Sequence, residues 1–389
     1  ITLYGTGWCS DCKRSKHFFG EQRIPYVYVD IDQDPAAMAF VEKTNHGMRS
    51  IPTIIFPDGS VLVEPSNAQL AEKLGLQTRA KRSFYDAIII GGGPTGLSAA
   101  IYLTREGLET LVIEKAGLGG QAGITQVIDN YPGFDEGISG AEFASRLTRQ
   151  AQRFGAEILQ AQNVASIDQD GQYLCVRTAD GSEYGAKAVL LASGASYRRL
   201  GIPGENELVG TNVHFCATCD GAFYKGKKLL VVGGGNSGFE EGLFLTKFAS
   251  QVDIVEFLPQ VKASKILQEK VAEKGNMSVT INHAIKELRV KNNKLDTVLV
   301  EDRQTGAQKE WRYDGVFVFV GLTPNSELVK GKVNIDQWGS VITDKSLMTS
   351  IPGLFAAGDV RAGSTKQAAS AAGEGATAAL MIRQYLAEK

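Results

Sequence analysis

Apolar and polar positions alternate in short blocks from the first residue onward. Ile1 to Tyr4 reads as a strand, Ser10 to Gln22 as a helix, and Tyr26 to Asp30 alternates Tyr and Val as a second strand. Pro35 to Thr44 opens with proline at a helix start, Thr53 to Phe56 is a third strand, Asp58-Gly59 a hairpin turn, Ser60 to Val63 a fourth strand, and Asn67 to Leu74 a closing helix. These elements predict a compact α/β unit of about 75 residues. Leu76 to Ser83 follows with Arg79, Lys81 and Arg82 and no apolar period, which predicts an exposed linker that holds the two flanking units at high effective concentration.

A longer pattern then occurs twice. Tyr85 to Ile90 is an apolar strand, Gly91-Gly92-Gly93-Pro94-Thr95-Gly96 a glycine turn, a helix runs to Glu106, and a strand spans Leu111 to Glu114. Lys228 to Val232 begins the same series, with Gly233-Gly234-Gly235-Asn236-Ser237-Gly238, a helix to Phe248 and a strand ending at Glu256. Glu114 and Glu256 each stand 23 residues after the first glycine of their turn. Two βαβ nucleotide-binding units are implied, because such glycines permit a tight turn, close backbone approach to a pyrophosphate and close helix–strand packing, and the helix N-terminus stabilises the anion.

The terminal acids bear on selectivity. Glu114 is placed to accept hydrogen bonds from an adenosine ribose, and Glu256 in the second unit would repel a 2′-phosphate. The segment Glu256-Phe257-Leu258-Pro259 offers no cation until Lys262, so NADH is expected over NADPH.

The chain has 389 residues, which suits two or three domains. Its formal charge of -2 supplies no basic field for nucleic acid and no acidic tail. The longest apolar runs, such as Val316 to Leu322, are strand-sized, so no membrane span is expected. No basic region followed by an apolar stretch opens the chain, and the cytoplasm is the expected compartment.

Five cysteines comprise two C-x-x-C pairs and Cys175, which reads as a small buried apolar residue. Cys216-Ala217-Thr218-Cys219-Asp220 lies between the two glycine turns. A zinc site would need two more ligands at matching spacing, and only His214 is near, so no metal is expected. Redox exchange fits two sulfurs within one helical turn. Asp220 is placed either to return a proton to a departing thiolate or to cap a helix. His214 could act as a base near Cys216, though the reading assigns it no necessary role; His17, His46 and His283 have no visible partner.

The second pair, Cys9-Ser10-Asp11-Cys12, follows a strand and opens a helix, where the helix dipole favours a Cys9 thiolate and Cys12 is placed to resolve a mixed disulfide. Asp11 opposes the thiolate while Lys13 and Arg14 favour it, which predicts a moderate lowering of the Cys9 pKa. Ile51-Pro52 suits a cis or a trans peptide, and Trp8 either shields the sulfur or packs.

From Tyr85 onward the chain resembles the low-molecular-weight thioredoxin reductases. The resemblance is carried by the two turns, Cys216-Ala217-Thr218-Cys219-Asp220-Gly221, Gly119-Gly120-Gln121, Asn130-Tyr131-Pro132-Gly133, Ala192-Ser193-Gly194-Ala195 and Gly353-Leu354-Phe355-Ala356-Ala357-Gly358-Asp359-Val360. It implies a discontinuous FAD domain over 84–204 and 324–389 and an inserted NAD(P)H domain over 205–323 that carries the dithiol and swivels about hinges at Ile202-Pro203-Gly204-Glu205 and Leu322-Thr323-Pro324-Asn325. FAD is then expected on Gly91, Gly93, Pro94, Thr95, Gly96, Glu114, Gly120, Gln121, Asn130, Gly358, Asp359, Lys366, Gln367 and Ala368. The nicotinamide cofactor is expected on Gly233, Gly235, Asn236, Ser237, Gly238 and Glu256. Asp359 would hold the ribitol chain, and Lys366 stands where relatives carry arginine. Cys219 would face the flavin and Cys216 would be the exchanging thiol. Asn236 departs from the aspartate common in the second turn, and Glu256 to Ala263 looks more like the NADH-using flavoprotein reductases of alkyl hydroperoxide systems.

Ile1 to Gly75 resembles the glutaredoxin-like redoxins, including the mycoredoxin type, through Trp8-Cys9-Ser10-Asp11-Cys12 and Ser50-Ile51-Pro52-Thr53, and implies a thioredoxin-like fold. Glu64-Pro65-Ser66-Asn67 replaces the glycine-glycine-acid turn with which glutaredoxins hold glutathione. The expected whole is an α/β flavin-dependent disulfide reductase: a redoxin domain at 1–75, a linker at 76–83 and two Rossmann-like domains. Electrons would pass from NADH to FAD, to Cys216-Cys219, to Cys9-Cys12, and on to protein or mixed disulfides. Two rivals stay open: a reductase for a separate thioredoxin or peroxiredoxin with the fused unit as adaptor, and a non-enzymatic NAD-binding redox sensor. Similar reductases are homodimers, so a homodimer is expected.

Overall fold

The computed structural model describes residues 1–388 apart from 126 and 293, with residue 219 described through its backbone. By contacts the chain divides into one unit of Ile1–Gly123, Asn130–Gly194 and Ser326–Lys389, and another of Ile124–Asp129 and Ala195–Asn325.

In the first unit, strand β1 (Thr2–Gly5) pairs parallel with β2 (Val27–Asp30) and antiparallel with β3 (Thr53–Ile55), which pairs antiparallel with β4 (Val61–Val63). Helix α1 (Ser10–Glu21) makes the parallel crossover, α2 (Pro35–Thr44) leads into β3, and α3 (Asn67–Lys73) closes this thioredoxin-like fold. Local chemistry sets the helix starts. Asp34 accepts the amides of Ala36 and Ala37 ahead of Pro35, and Ser66 and Gln69 form a reciprocal capping box. Leu3, Phe18, Phe19, Ile54 and Leu70 make the core. The Ile51-Pro52 peptide is cis.

The same unit holds a second, larger sheet. Strand β5 (Phe84–Ile90) leads into helix α4 (Pro94–Arg105) and β6 (Thr110–Ile113), which lies parallel to β5. Helix α5 (Gly140–Arg153) then leads to β7 (Glu157–Leu159), parallel to β6. The strands β8 (Val164–Asp170), β9 (Tyr173–Thr178) and β10 (Glu183–Leu191) form a meander whose last strand returns parallel to β5. Ile88, Ile89, Val189 and Leu190 are fully buried, as a parallel sheet covered on both faces requires. The 76–83 segment is pinned as well as partly exposed: Gln77 Nε2 and the Lys81 amide both donate to Glu157 Oε1, at 2.6 and 2.8 Å, and Gln160 donates its amide to the Gln77 carbonyl at 2.8 Å.

The second unit begins with β11 (Ala195–Tyr197), a short helix α6 (Glu205–Leu208), β12 (Val213–His214) and the single turn α7 (Ala217–Asp220). The repeat follows as β13 (Lys228–Val232), α8 (Asn236–Leu245) and β14 (Gln251–Val255), then α9 (Lys265–Ala272) and β15 (Met277–Thr280). An antiparallel sheet of β16 (His283–Lys291), β17 (Lys294–Asp302) and β18 (Gln308–Trp311) precedes β19 (Gly315–Val318). The main sheet is parallel throughout in the order β12-β19-β13-β14-β15, and β20 (Leu322–Pro324) pairs antiparallel with β11.

Beyond it the chain re-enters the first unit. There β21 (Leu354–Ala356) adds parallel to the upper half of β10, and α10 (Ala368–Ala387) packs along α4.

Candidate functional site

The two glycine turns are the same structure built twice. Gly91 has φ 112 and Gly233 φ 119, in the region an L side chain rarely adopts, and a Cβ on either would strike a carbonyl oxygen, that of Ala192 or of Phe319. A Cβ on Gly96 or Gly238 would strike the carbonyl of the first glycine of its own turn. Helices α4 and α8 both start from an extended glycine, Gly93 or Gly235, with no side-chain cap. Their first amides therefore suit an external anion. Both terminal acids are buried and grip their own turn. Glu114 accepts the amides of Gly92 at 2.6 Å and Ala116 at 2.7 Å, and Glu256 those of Gly234 at 2.5 Å and Leu258 at 2.8 Å. Burial pushes the Glu114 carboxyl up, against the pull of those amides.

In the first unit three distant segments converge on the start of α4. A Cβ on Gly120 would lie 3.2 Å from the Gly93 Cα, and one on Gly358 would collide with the Thr95 hydroxyl. Pro94 occupies the first turn of the helix. Asp359 is raised by burial, with the Lys366 and Ser364 groups opposing; Lys366 Nζ donates to its carbonyl at 3.1 Å. Asn130 Nδ2 donates to Gln367 Oε1 at 3.1 Å, and Gln367 precedes Ala368 at the start of α10. Gln121 lies in the short 3-10 helix Gly120–Ile124. A brace not legible in the sequence secures this segment: Glu374 on α10 accepts the Gly358 amide at 2.8 Å and takes both Nε and Nη2 of Arg361, at 3.0 and 2.6 Å. A converging cradle of this kind, with an uncapped helix start and a buried acid at the strand end, fits a dinucleotide.

In the second unit Cys216 is disulfide-bonded and immediately precedes α7. The side chain of Cys219 lies outside the described residues. Around Asp220 stands a network. Its Oδ2 is 3.0 Å from Nδ1 of buried His214, whose Nε2 is 2.7 Å from the Tyr224 hydroxyl, and Tyr224 donates to the Thr211 carbonyl at 3.0 Å. The imidazole stacks on Phe317. His214 is thereby bonded at both ring nitrogens, a role the residue pattern did not require. The turn is also tied to the nucleotide-binding helix, because the Ala217 amide bonds the Glu241 carboxylate on α8.

Burial, and then the neighbouring Glu240, raise Glu241 to about 7. A folded-state pKa above the unfolded 4.5 gives stability that is complete below pH 4.5 and is lost as pH rises toward 7. Glu241→Gln keeps an acceptor for Ala217 and removes the titration. The variant should gain up to about 3 kcal/mol relative to the parent between pH 5 and pH 8, read as a thermal midpoint that moves less with pH. Parallel pH profiles would refute this.

Asn236 Oδ1 accepts the Ser264 amide at 2.8 Å, so it joins the second turn to the start of α9, and Ser237 bonds Tyr197. A cation absent from the local sequence also stands near the strand end. Arg303, from the turn after β17, lies over the Phe257 ring at 3.5 Å and donates to the Phe257 carbonyl at 2.7 Å.

In the redoxin fold Cys9 is the N-cap of α1, and its sulfur accepts the Cys12 amide at 3.0 Å. Cys12 is fully buried, and burial together with the Cys9 sulfur pushes its thiol up to about 12. Cys9, Cys12 and Cys175 are free thiols. Trp8 is exposed and donates to Asp32 at 2.9 Å, so it neither packs inward nor lies loose. Among the described residues no cluster suits a metal ion and no helix is long and apolar enough to cross a membrane.

Comparison with known proteins agrees with this geometry. Residues 85–375 match the pyridine nucleotide-disulphide oxidoreductase model, and residues 1–61 match glutaredoxin. The thioredoxin reductase of Bacillus subtilis is 41% identical over 309 residues, covering 79% of this chain and 97% of that protein. A 34.2 kDa protein of the rubredoxin operon of Clostridium pasteurianum is 41% identical over 304 residues, covering 78% and 98%. The Lactococcus lactis thioredoxin reductase structure superposes with a TM-score of 0.76 at 36% identity, covering 78% of this chain and all of that one. The chain belongs to the pyridine nucleotide-disulphide oxidoreductase family, as a thioredoxin-reductase-like disulfide oxidoreductase with a glutaredoxin domain ahead of it.

Proposed function

We propose that this enzyme uses NADH to reduce its Cys216-Cys219 disulfide, and that Cys216 then reduces the fused Cys9-Cys12 pair, which serves protein or mixed disulfides. The observation that carries the reading is the link between cofactor helix and disulfide: α8, which starts at the second glycine turn, bonds the residue after Cys216 through Glu241. FAD, held by the first turn, Glu114, Gly120, Gln121, Asn130, Asp359 and the 366–368 segment, would supply two-electron transfer between nicotinamide and disulfide. The protein's own groups do the rest. Cys216 as thiolate attacks the acceptor disulfide, the Cys219 sulfur displaces the resulting mixed disulfide, and the Asp220–His214 pair holds a proton beside them.

The NADH preference is supported by Glu256, buried and committed to two backbone amides, with no lysine or arginine among the described residues bonded to it. Arg303 is the counterweight, a cation whose guanidinium stacks on Phe257 next to that acid. Wild-type kcat/KM should favour NADH by at least about tenfold, since a bare carboxylate beside a 2′-phosphate costs on the order of 1.4 kcal/mol or more. Arg303→Ala should widen that margin by lowering NADPH use further. A wild-type preference for NADPH would end the proposal. The alternative, a reductase acting on a separate thioredoxin or peroxiredoxin as a homodimer, predicts unchanged partner turnover when Cys9 is replaced.

A further inference from the structure

The redoxin domain grips the nucleotide cradle of the first unit through the residues just past α1. Arg23 Nη1 donates to the Leu118 carbonyl and Nη2 to the Gly120 carbonyl at 2.7 Å. Gln22 Nε2 donates to the Lys115 carbonyl at 2.8 Å, and the Gly117 amide donates to the Glu21 carbonyl at 2.7 Å. Three consecutive redoxin residues thus bind four backbone positions, 115, 117, 118 and 120. The fit is built from both sides. A Cβ on Gly117 would lie 2.8 Å from Arg23 Cδ, and one on Gly123 would collide with the guanidinium. Arg23 itself has φ 57, a left-handed conformation that aims its side chain off the helix end.

The gripped segment starts one residue after Glu114 and contains Gly120, which lies against Gly93 at the start of α4. Glu114 is also the charge that faces Arg23. A half-buried guanidinium that gives both its terminal nitrogens to backbone carbonyls is an orienting device, because releasing it would leave those two carbonyls without their donor. The grip lies at the far end of α1 from Cys9, about 18 Å away for a twelve-residue helix. The contact is therefore one helix length away from the thiols.

We propose that the redoxin domain is a structural part of the flavin site, with Arg23 as the positioning residue that holds the Leu118–Gly120 carbonyls in place, so that FAD binding and redoxin docking stabilise each other. The proposal rests on the first turn being the FAD site. By linkage, the effect must run in both directions.

The test uses the full chain with Arg23→Asn, since asparagine accepts the left-handed backbone but cannot reach the carbonyls, and Arg23→Lys, which retains one donor. Flavin release is followed by fluorescence, and amide exchange is followed at 21–24 and 115–123. Arg23→Asn should weaken FAD binding by about tenfold or more and Arg23→Lys by less, while Cys9 alkylation keeps its rate and reports an intact redoxin fold. Stripping FAD from the wild type should deprotect 21–24. FAD affinity equal to wild type in both variants, or unchanged exchange at 21–24 on stripping, would overturn the clamp while leaving the flavin reading intact. A wild-type chain that binds no FAD would overturn both.

Discussion

Replacing Cys216 by serine should lower disulfide turnover by about 10³-fold or more while NADH oxidation by a dye acceptor continues near its wild-type rate. Cys216 is the sulfur held in a disulfide at the start of α7, one residue from the amide that Glu241 anchors. A serine hydroxyl keeps the shape and loses both the electrons and the leaving group that exchange requires. The nucleotide turns do not depend on it: Gly233, Gly238 and Glu256 are fixed by backbone contacts of their own. The two activities should therefore separate. Asp220→Asn provides the graded control. It retains a hydrogen bond to His214 but removes the carboxylate 3.0 Å from Nδ1, so proton handling suffers while the sulfurs remain, and a loss on the order of 10- to 100-fold is expected at neutral pH. Disulfide turnover surviving in the serine variant would remove Cys216 from the pathway.

What the residue pattern could disclose was set by how local each constraint is. The two glycine turns were legible because their demands are met within one βαβ stretch: Gly91 and Gly233 need positive φ, Gly96 and Gly238 need close approach, and the acid closes the strand. Helix α2 keeps the bounds the pattern gave, Pro35–Thr44, since Asp34 and Pro35 mark its start in adjacent positions. Helix α8 stops at Leu245, short of the expected Phe248, because Thr246 turns its hydroxyl onto the Leu243 carbonyl at 2.6 Å and the next residues close a turn. The His214–Asp220–Tyr224 network was not legible. It depends on β12 pairing with β19, about a hundred residues later, which places Phe317 under the imidazole. Arg303 is 47 residues past Glu256 and arrives at Phe257 only through the β16–β17 hairpin. Arg23 reads as an ordinary basic residue at a helix end, and its partners are backbone carbonyls, which leave no mark in a sequence.

The segment 64–67 is committed to the redoxin's own fold. Ser66 caps α3, Gln69 Oε1 accepts the Ser66 amide at 2.8 Å, and Arg14 Nη2 donates to the Pro65 carbonyl at 3.0 Å. The Pro65 carbonyl and the amide and hydroxyl of Ser66 thus already have partners within the redoxin.

Within the redoxin the two thiols should then behave very differently. Cys12 is fully buried with its thiol pushed up to about 12, so at neutral pH it stays the thiol. Cys9 caps the N-terminus of a twelve-residue helix, with the Cys12 amide donated to its sulfur. Cys9→Ser should therefore abolish reduction of redoxin-specific mixed disulfides, by about 10³-fold, while a small aromatic disulfide that reaches Cys216 directly is still reduced. Cys12→Ser should instead let the first exchange proceed and trap the product, because no second sulfur lies behind Cys9 to displace it. Mass spectrometry of the Cys12→Ser chain after one turnover should find the acceptor bound covalently at Cys9. If Cys12→Ser turns over at the wild-type rate, a single thiol suffices and the dithiol cycle is wrong. If Cys9→Ser retains activity on the mixed disulfides, the redoxin is a passive adaptor and electrons leave the chain from Cys216.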